Sequence, residues 1–188
     1  MDHAVILAGG HGERFWPLSR LQRPKQLLPI IGDQSLLETT VERIKPDFPA
    51  ERIWVVTSEE IGKAVRERVT FIPKDNVLME PSGRNTALAI GWSAVEINRR
   101  DPDATLVTLS ADHAIEPASM LRRILREGIR LAKAEDNLVI IGINPTRPET
   151  GYGYIELGPH FASFDGINSY QVETFREKPD RTTAQDYF

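Results

Sequence analysis

Glycines and cations crowd together near the start of this chain. In residues 7–26, LAGGHGERFWPLSRLQRPKQ, Gly9, Gly10 and Gly12 fill three of four positions, and Arg14, Arg20, Arg23 and Lys25 follow with no acid between Arg14 and Lys25. Glycines let backbone N–H groups approach an anion without obstruction by Cβ. Arg14 and Lys25 can then neutralise a polyphosphate from two directions. For this loop in isolation, a glycine turn followed by a solvated basic face is the alternative. Two familiar phosphate loops do not fit: a GxGxxG fingerprint counted from Gly10 would need glycine where Phe15 stands, and no GxxxxGK[ST] string occurs. A nicotinamide dehydrogenase and a P-loop NTPase are both disfavoured.

Two further constellations carry chemistry. In residues 109–117, LSADHAIEP, Asp112 falls at the end of an expected central strand. A carboxylate there suits Mg²⁺, which takes one or two carboxylates plus phosphate oxygens. Its alternative is a turn-capping role, with His113 a structural donor. His3, His11, His113 and His160 show no metal-ligand spacing. In residues 80–92, EPSGRNTALAIGW, a Pro-Gly turn leads into a helix opened by Arg84, Asn85 and Thr86. Polar groups at such a helix start can read the edge of a base, and ordinary capping by Asn85 explains the pattern equally well.

These residues need a scaffold that gathers strand ends. Runs at 4–8, 53–57, 76–79, 105–109 and 138–143 are short, β-branched and unalternated, as strands buried on both faces are. Between them, Ser35 with Glu38 and Thr57 with Glu60 have capping-box spacing. Pro117 suits a first helical turn, and after it Met120, Leu121, Ile124, Leu125, Gly128 and Leu131 form one apolar face. Leu88, Trp92 and Val95 predict another such face, with Trp54 and Trp92 as core. Strand–helix alternation implies a parallel sheet with helices on both sides. Its ligands belong beyond the carboxyl ends of the strands, where the glycine loop sits. Past Pro148, GYGYIEL and YQVETFREK alternate apolar and polar residues and predict antiparallel strands, and DRTTAQDYF a last short helix.

The bulk numbers agree with an ordinary globular domain. The chain has 188 residues, 40% hydrophobic and 27% charged, long enough for a sizeable core. A net charge of −4 argues against bulk nucleic-acid binding. Without cysteine, disulfides and thiolate metal sites are excluded, which fits a reducing cytoplasm. The N-terminus lacks a basic n-region, and no apolar run approaches the ~20 residues that span a bilayer. The expectation is one soluble cytoplasmic domain with no membrane partner.

Taken in order and spacing, LAGGHGERFWPLSRLQRPKQ, EPSGRNTALAI, LSADHAI, PTRPETGYGYIELG and FREKPD resemble the mannose-1-phosphate guanylyltransferases, members of the sugar-nucleotidyltransferase superfamily. GGxGxR alone would be shared with uridylyl- and thymidylyltransferases, whereas RFWPLSR, GRNTA and RPETGYGYI are narrower. The resemblance implies a Rossmann-like three-layer α/β/α fold, mainly parallel with antiparallel additions near the C-terminus. It implies that GTP and α-D-mannose 1-phosphate yield GDP-mannose and pyrophosphate, with Mg²⁺ as cofactor. On that footing Leu7, Ala8, Gly9, Gly10, Gly12 and Arg14 wrap the nucleotide, and Lys25 contacts the reacting phosphates, Arg14 and Lys25 being the catalytic pair. Glu80, Pro81, Arg84, Asn85, Thr86 and Ser110 recognise the nucleoside, and Asp112 holds the metal. Gly151, Tyr152 and Gly153 match the sugar-pocket motif, Glu177 would hold mannose hydroxyls, and Lys178 the sugar phosphate.

The chain departs from the pattern in three places. Ser110 stands where the family usually has proline, and Leu88 replaces a common proline. Family members also continue to a WNSGMF-like strand and a further aspartate, so residues 1–188 are expected to be a C-terminally truncated catalytic domain. The sheet edge this would expose predicts a homo-oligomer. The rival readings are another sugar-1-phosphate nucleotidyltransferase and a non-catalytic module that binds nucleotide or GDP-mannose.

Overall fold

The computed structural model describes residues 1–10, 15–20, 24–30, 32–83, 85–135 and 137–188, with the backbone alone at 135. Gly12, Arg14 and Arg84 lie outside the described residues. The chain forms two compact units, Met1–Ile129 and Arg130–Phe188.

In the first unit, four of the five expected strands form as β1 (Asp2–Leu7), β2 (Ile53–Ser58), β3 (Val77–Glu80) and β4 (Thr105–Ser110). They make one parallel sheet in the order β3-β2-β1-β4. The direction of chain winding therefore reverses between β1 and β4, whose ladder pairs Asp2 with Thr105 through to Leu7 with Ser110. Helices α1 (Leu36–Ile44), α2 (Glu59–Arg68) and α4 (Ala118–Glu135) follow β-segments on one side, and α3 (Asn85–Asn98) lies on the other. The larger core joins Ala4, Ile6 and Val55 of the sheet to Leu37, Val41, Val65 and Leu121. The smaller joins Val5, Trp54 and Val56 to Ala89 and Ile97 of α3. Trp54 is core as expected, and Trp92 packs half-buried against the same cluster.

Local chemistry explains several boundaries. The Ser35 hydroxyl accepts from the Glu38 N–H while the Glu38 carboxylate accepts from the Ser35 N–H, a complete capping box at α1. The second expected box is absent. Ser58, not Thr57, stands before α2, and no side chain caps it. Thr57 is instead buried in β2 and donates to the Ala8 carbonyl at 3.1 Å. The apolar face expected on α3 also differs. Leu88 and Val95 are exposed, and the helix turns Ala89, Ser93 and Ile97 to the sheet. A helix apolar on nearly every side gives no periodicity from which to choose a face, and small residues let it approach Trp54 closely.

Residues 138–143 form no strand, although they read as one. Leu138 is fully exposed and Ile143 82% exposed. Apolar content does not make a strand without a neighbour to take up its N–H and C=O groups, and among the described residues none pairs with it. The rest of the second unit follows expectation. β5 (Gly153–Phe164) and β6 (Ile167–Glu177) pair antiparallel as a separate two-stranded sheet. The short α5 (Arg181–Asp186) is capped by Asp180, which accepts from the Thr183 N–H at 2.8 Å.

At the amino end of the first sheet, the Trp54 indole N–H donates to His3 Nδ1 at 3.1 Å. His3 Nε2 must then carry the ring proton, and it donates to Asp101 at 3.3 Å. The Arg100 guanidinium lies 4.6 Å above the Trp54 ring. No helix among the described residues is long and apolar enough to cross a membrane.

Candidate functional site

Beyond the carboxyl ends of β1 and β4, where the winding reverses, the chain brings its two charged loops together. This is where open parallel sheets bind ligands. Leu7 ends β1 opposite Ser110 of β4, and the Ala111 N–H donates to the Leu7 carbonyl at 3.0 Å. Ala8 is buried, Gly9 half-buried and Gly10 exposed. Among the described residues, neither glycine N–H has a backbone acceptor.

Lys25 opens a 3-10 turn, Lys25–Leu27, that folds back against this loop. Its ammonium makes an ion pair with Asp112, and a Cβ built on Gly10 would lie 3.7 Å from the nitrogen. The other Asp112 oxygen accepts from the Ser110 hydroxyl at 2.5 Å. Burial pushes the Asp112 carboxyl up, but hydrogen bonds from Lys25 and Ser110 and the Lys25 charge outweigh it and hold the carboxyl below its usual range. Ser110, expected at the nucleoside, thus touches the Asp112 carboxylate. Among the described residues no group of three or more His, Cys, Asp or Glu gathers as a metal site. Asp112 fits the sparser arrangement, in which one carboxylate shares Mg²⁺ with phosphate oxygens.

Beside Gly9 stands Glu80, the last residue of β3. A Cβ on Gly9 would lie 3.4 Å from its carboxylate. Glu80 has no cation or donor partner among the described residues, and burial pushes its carboxyl up. Pro81 follows, exposed, and α3 then opens with Asn85 and Thr86, both exposed. Asn85 takes φ +67°, a left-handed conformation that asparagine tolerates better than most residues. No hydrogen bond from its side-chain amide is present among the described residues.

The second unit gathers the other candidates. Gly153 is the register partner of Glu177, and the Lys178 N–H donates to the Tyr152 carbonyl at 3.1 Å. Gly151, Tyr152, Gly153, Glu177 and Lys178 therefore meet at the open end of the β5–β6 hairpin, though two sequence segments supply them. A Cβ at Gly153 would fall 2.3 Å from the Phe175 ring and 2.9 Å from the Glu177 carboxylate, so only glycine fits the present arrangement. Lys178 has φ +45° and pairs loosely with Glu177 at 3.5 Å, both side chains exposed.

Residues 3–188 match, as one stretch, the family described as nucleotidyl transferase. This chain belongs to that family. Among its nucleotidyl transferase relatives, the mannose-1-phosphate guanylyltransferase of Escherichia coli strain K12 is 39% identical over 98% of this chain, which covers 39% of that protein. A mannose-1-phosphate guanylyltransferase of Klebsiella pneumoniae is 40% identical over 97% of the chain and 39% of its own length. A crystal structure from Thermus thermophilus, described as a mannose-1-phosphate geranyltransferase, superimposes with a TM-score of 0.88 at 38% identity, over 99% of this chain and 52% of that one. The chain thus spans about two-fifths of the length of these sequence relatives. The fold is the nucleotidyltransferase one: a mainly parallel sheet between helices, with an antiparallel pair toward the C-terminus.

Two residues of the first unit escaped the sequence reading. Gln26 is buried and bonds the glycine loop, and Thr57 supports the same loop from β2. A polar residue directly after Lys25, and a threonine ending an otherwise apolar strand, were the only signs of either.

Proposed function

We propose that this chain is the catalytic region of a guanylyltransferase that joins GTP to α-D-mannose 1-phosphate, giving GDP-mannose and pyrophosphate. Both units are read as parts of one nucleotidyltransferase domain. The observation that carries the reading is the Lys25 ammonium standing near Gly10 and paired with Asp112, beyond the paired carboxyl ends of β1 and β4.

In this reading the Gly9 and Gly10 amides and Lys25 hold the triphosphate. Glu80 supports guanine in particular. An ionised carboxylate only accepts hydrogen bonds, and guanine offers two adjacent donors on its pairing edge, whereas uracil, thymine and adenine each place an acceptor beside a single donor. Asn85 and Thr86, at the start of the helix that follows, are read as its companions in base recognition. The Lys178 ammonium serves the sugar phosphate and the Glu177 carboxylate the sugar hydroxyls, at the hairpin end where Gly153 leaves room.

The reaction is an in-line displacement. An oxygen of the sugar phosphate bonds to the α-phosphorus of GTP, the bond from that phosphorus to the β-bridging oxygen breaks, and pyrophosphate leaves with the electron pair. The attacking phosphate is already anionic near neutral pH, so no general base is needed. The protein's work is to bring two anions together and offset the charge that builds on the equatorial oxygens. Asp112 would hold Mg²⁺, which supplies charge neutralisation at the phosphates.

Pyrophosphate release should be measured with GTP, UTP, dTTP and ATP, each against mannose 1-phosphate and glucose 1-phosphate, with Mg²⁺ present. GTP with mannose 1-phosphate should give the highest kcat/KM. A preference for UTP would reject the guanylyl assignment, and GTP binding without turnover would favour a binding module.

A further inference from the structure

Lys25 and Gln26 are adjacent in a 3-10 turn, where successive side chains diverge by about 120°. Lys25 reaches toward Gly10 and Asp112, while Gln26 points into the protein and is 1% exposed. Its side-chain amide donates to the Ala8 carbonyl and to the Gly10 carbonyl, the latter at 3.0 Å. An amide nitrogen has two protons, and Gln26 commits both to carbonyls of the glycine loop. The Ala8 carbonyl also accepts from the Thr57 hydroxyl.

Pinning these carbonyls sets the direction of an N–H. A trans peptide is planar, with its C=O and N–H opposed. Holding the Ala8 carbonyl inward therefore turns the Gly9 N–H the opposite way, away from Gln26 and Thr57. It also removes two carbonyl oxygens, which would repel an anion, from that side. A second observation argues that packing is not the reason for glutamine here. Gln26 Oε1 is buried with no hydrogen-bond partner among the described residues, a liability that methionine or leucine of similar size would avoid. What those residues lack is the pair of donors.

We propose that Gln26 is a positioning residue for polyphosphate binding, which fixes the glycine loop with its amides facing the anion. This rests on the phosphate-cradle reading given above. Calorimetry on the full chain with Mg²⁺ would compare GTP with GMP, so that the ratio of their Kd values reports what the β- and γ-phosphates add. The probes are wild type, Gln26→Met and Gln26→Glu, each checked by thermal melting, and the Gly9 amide resonance is followed in the free protein. Gln26→Met should weaken GTP binding by about 10- to 100-fold, the loss of one or two hydrogen bonds to the loop. GMP binding should change about twofold or less on that scale, the Gly9 resonance should shift, and melting should stay near wild type. Gln26→Glu should do the same or worse, since a carboxylate repels both carbonyls.

A variant that keeps the wild-type ratio of GTP to GMP affinity, or weakens both ligands alike, would overturn the proposal. So would an unmoved Gly9 resonance, which needs no ligand. A wild type that binds GTP no better than GMP would instead overturn the phosphate-cradle reading itself, and this proposal with it.

Discussion

Replacing Lys25 with alanine should cut turnover at saturating GTP by about a hundredfold or more, because removing one donor aimed at developing charge costs ~2.7–4 kcal/mol of transition-state stabilisation. The geometry supports the larger end. The Lys25 and Asp112 side chains are each only 22% exposed, so water replaces the lost charge poorly. The same change has a separate effect on the free protein, since among the described residues Asp112 keeps Ser110 alone as a donor. With its folded carboxyl held below the ordinary value of 3.8, Asp112 contributes stability above that pH, and this is lost as pH falls through the folded value. The stability gap between wild type and Lys25→Ala should therefore be wide at pH 7 and close in strong acid. Steady-state pyrophosphate release at saturating GTP and sugar phosphate gives the first quantity, and denaturant titration across pH the second. Turnover within a few-fold of wild type would refute the placement of Lys25 at the reacting phosphates, whatever the stability result.

Three other outcomes follow from the geometry. Glu80→Gln should reduce the GTP-over-UTP ratio of kcat/KM by about 10- to 150-fold, equivalent to ~1.5–3 kcal/mol for a charged hydrogen bond, and an unchanged ratio would remove Glu80 from base recognition. Burial holds the His3 imidazole below its ordinary 6.5, against the opposing pull of Asp101 and with help from the N-terminal ammonium and Arg52. The unfolded chain therefore takes up this proton first. Stability should fall as pH drops below about 6.5, by up to ~1.4 kcal/mol per pH unit, and denaturation of His3→Gln should lack that slope. Gly153→Ala should push aside Phe175 and Glu177, raising KM for mannose 1-phosphate while leaving GTP affinity intact. A matched loss for both substrates would place the fault in folding instead.

Where a residue's neighbours lie close in sequence, or its burial is two-sided, the chain announced itself. The strands around Val5, Val55, Val77 and Val107 were readable because helices cover both faces of a parallel sheet and leave unbroken apolar runs. The same rule failed at 138–143, since apolar content says nothing about whether a pairing strand is present. Ser35 and Glu38 were legible as a cap, whereas Thr57 has identical spacing to Glu60 and a different fate. Its hydroxyl faces the Ala8 carbonyl across the sheet, a partner 49 residues away. Gly9, Gly10, Lys25 and Asp112 could be named as candidates from their types. That Lys25 and Asp112 touch, across 87 positions, required the fold. Gln26 was invisible because glutamine on a basic, proline-flanked segment normally faces solvent.

The six-rung ladder between β1 and β4 works as a gauge. It sets how far the loop after Leu7 stands from the loop after Ser110, so main-chain spacing, not side-chain reach, dimensions the gap that Lys25 and Asp112 close. Side chains along either strand can drift while the rungs hold, and the gap will keep its width. Inserting or deleting one residue in β1 or β4 would slide that setting by about 3.3 Å, enough to part the two charges with every polar group of the site still present.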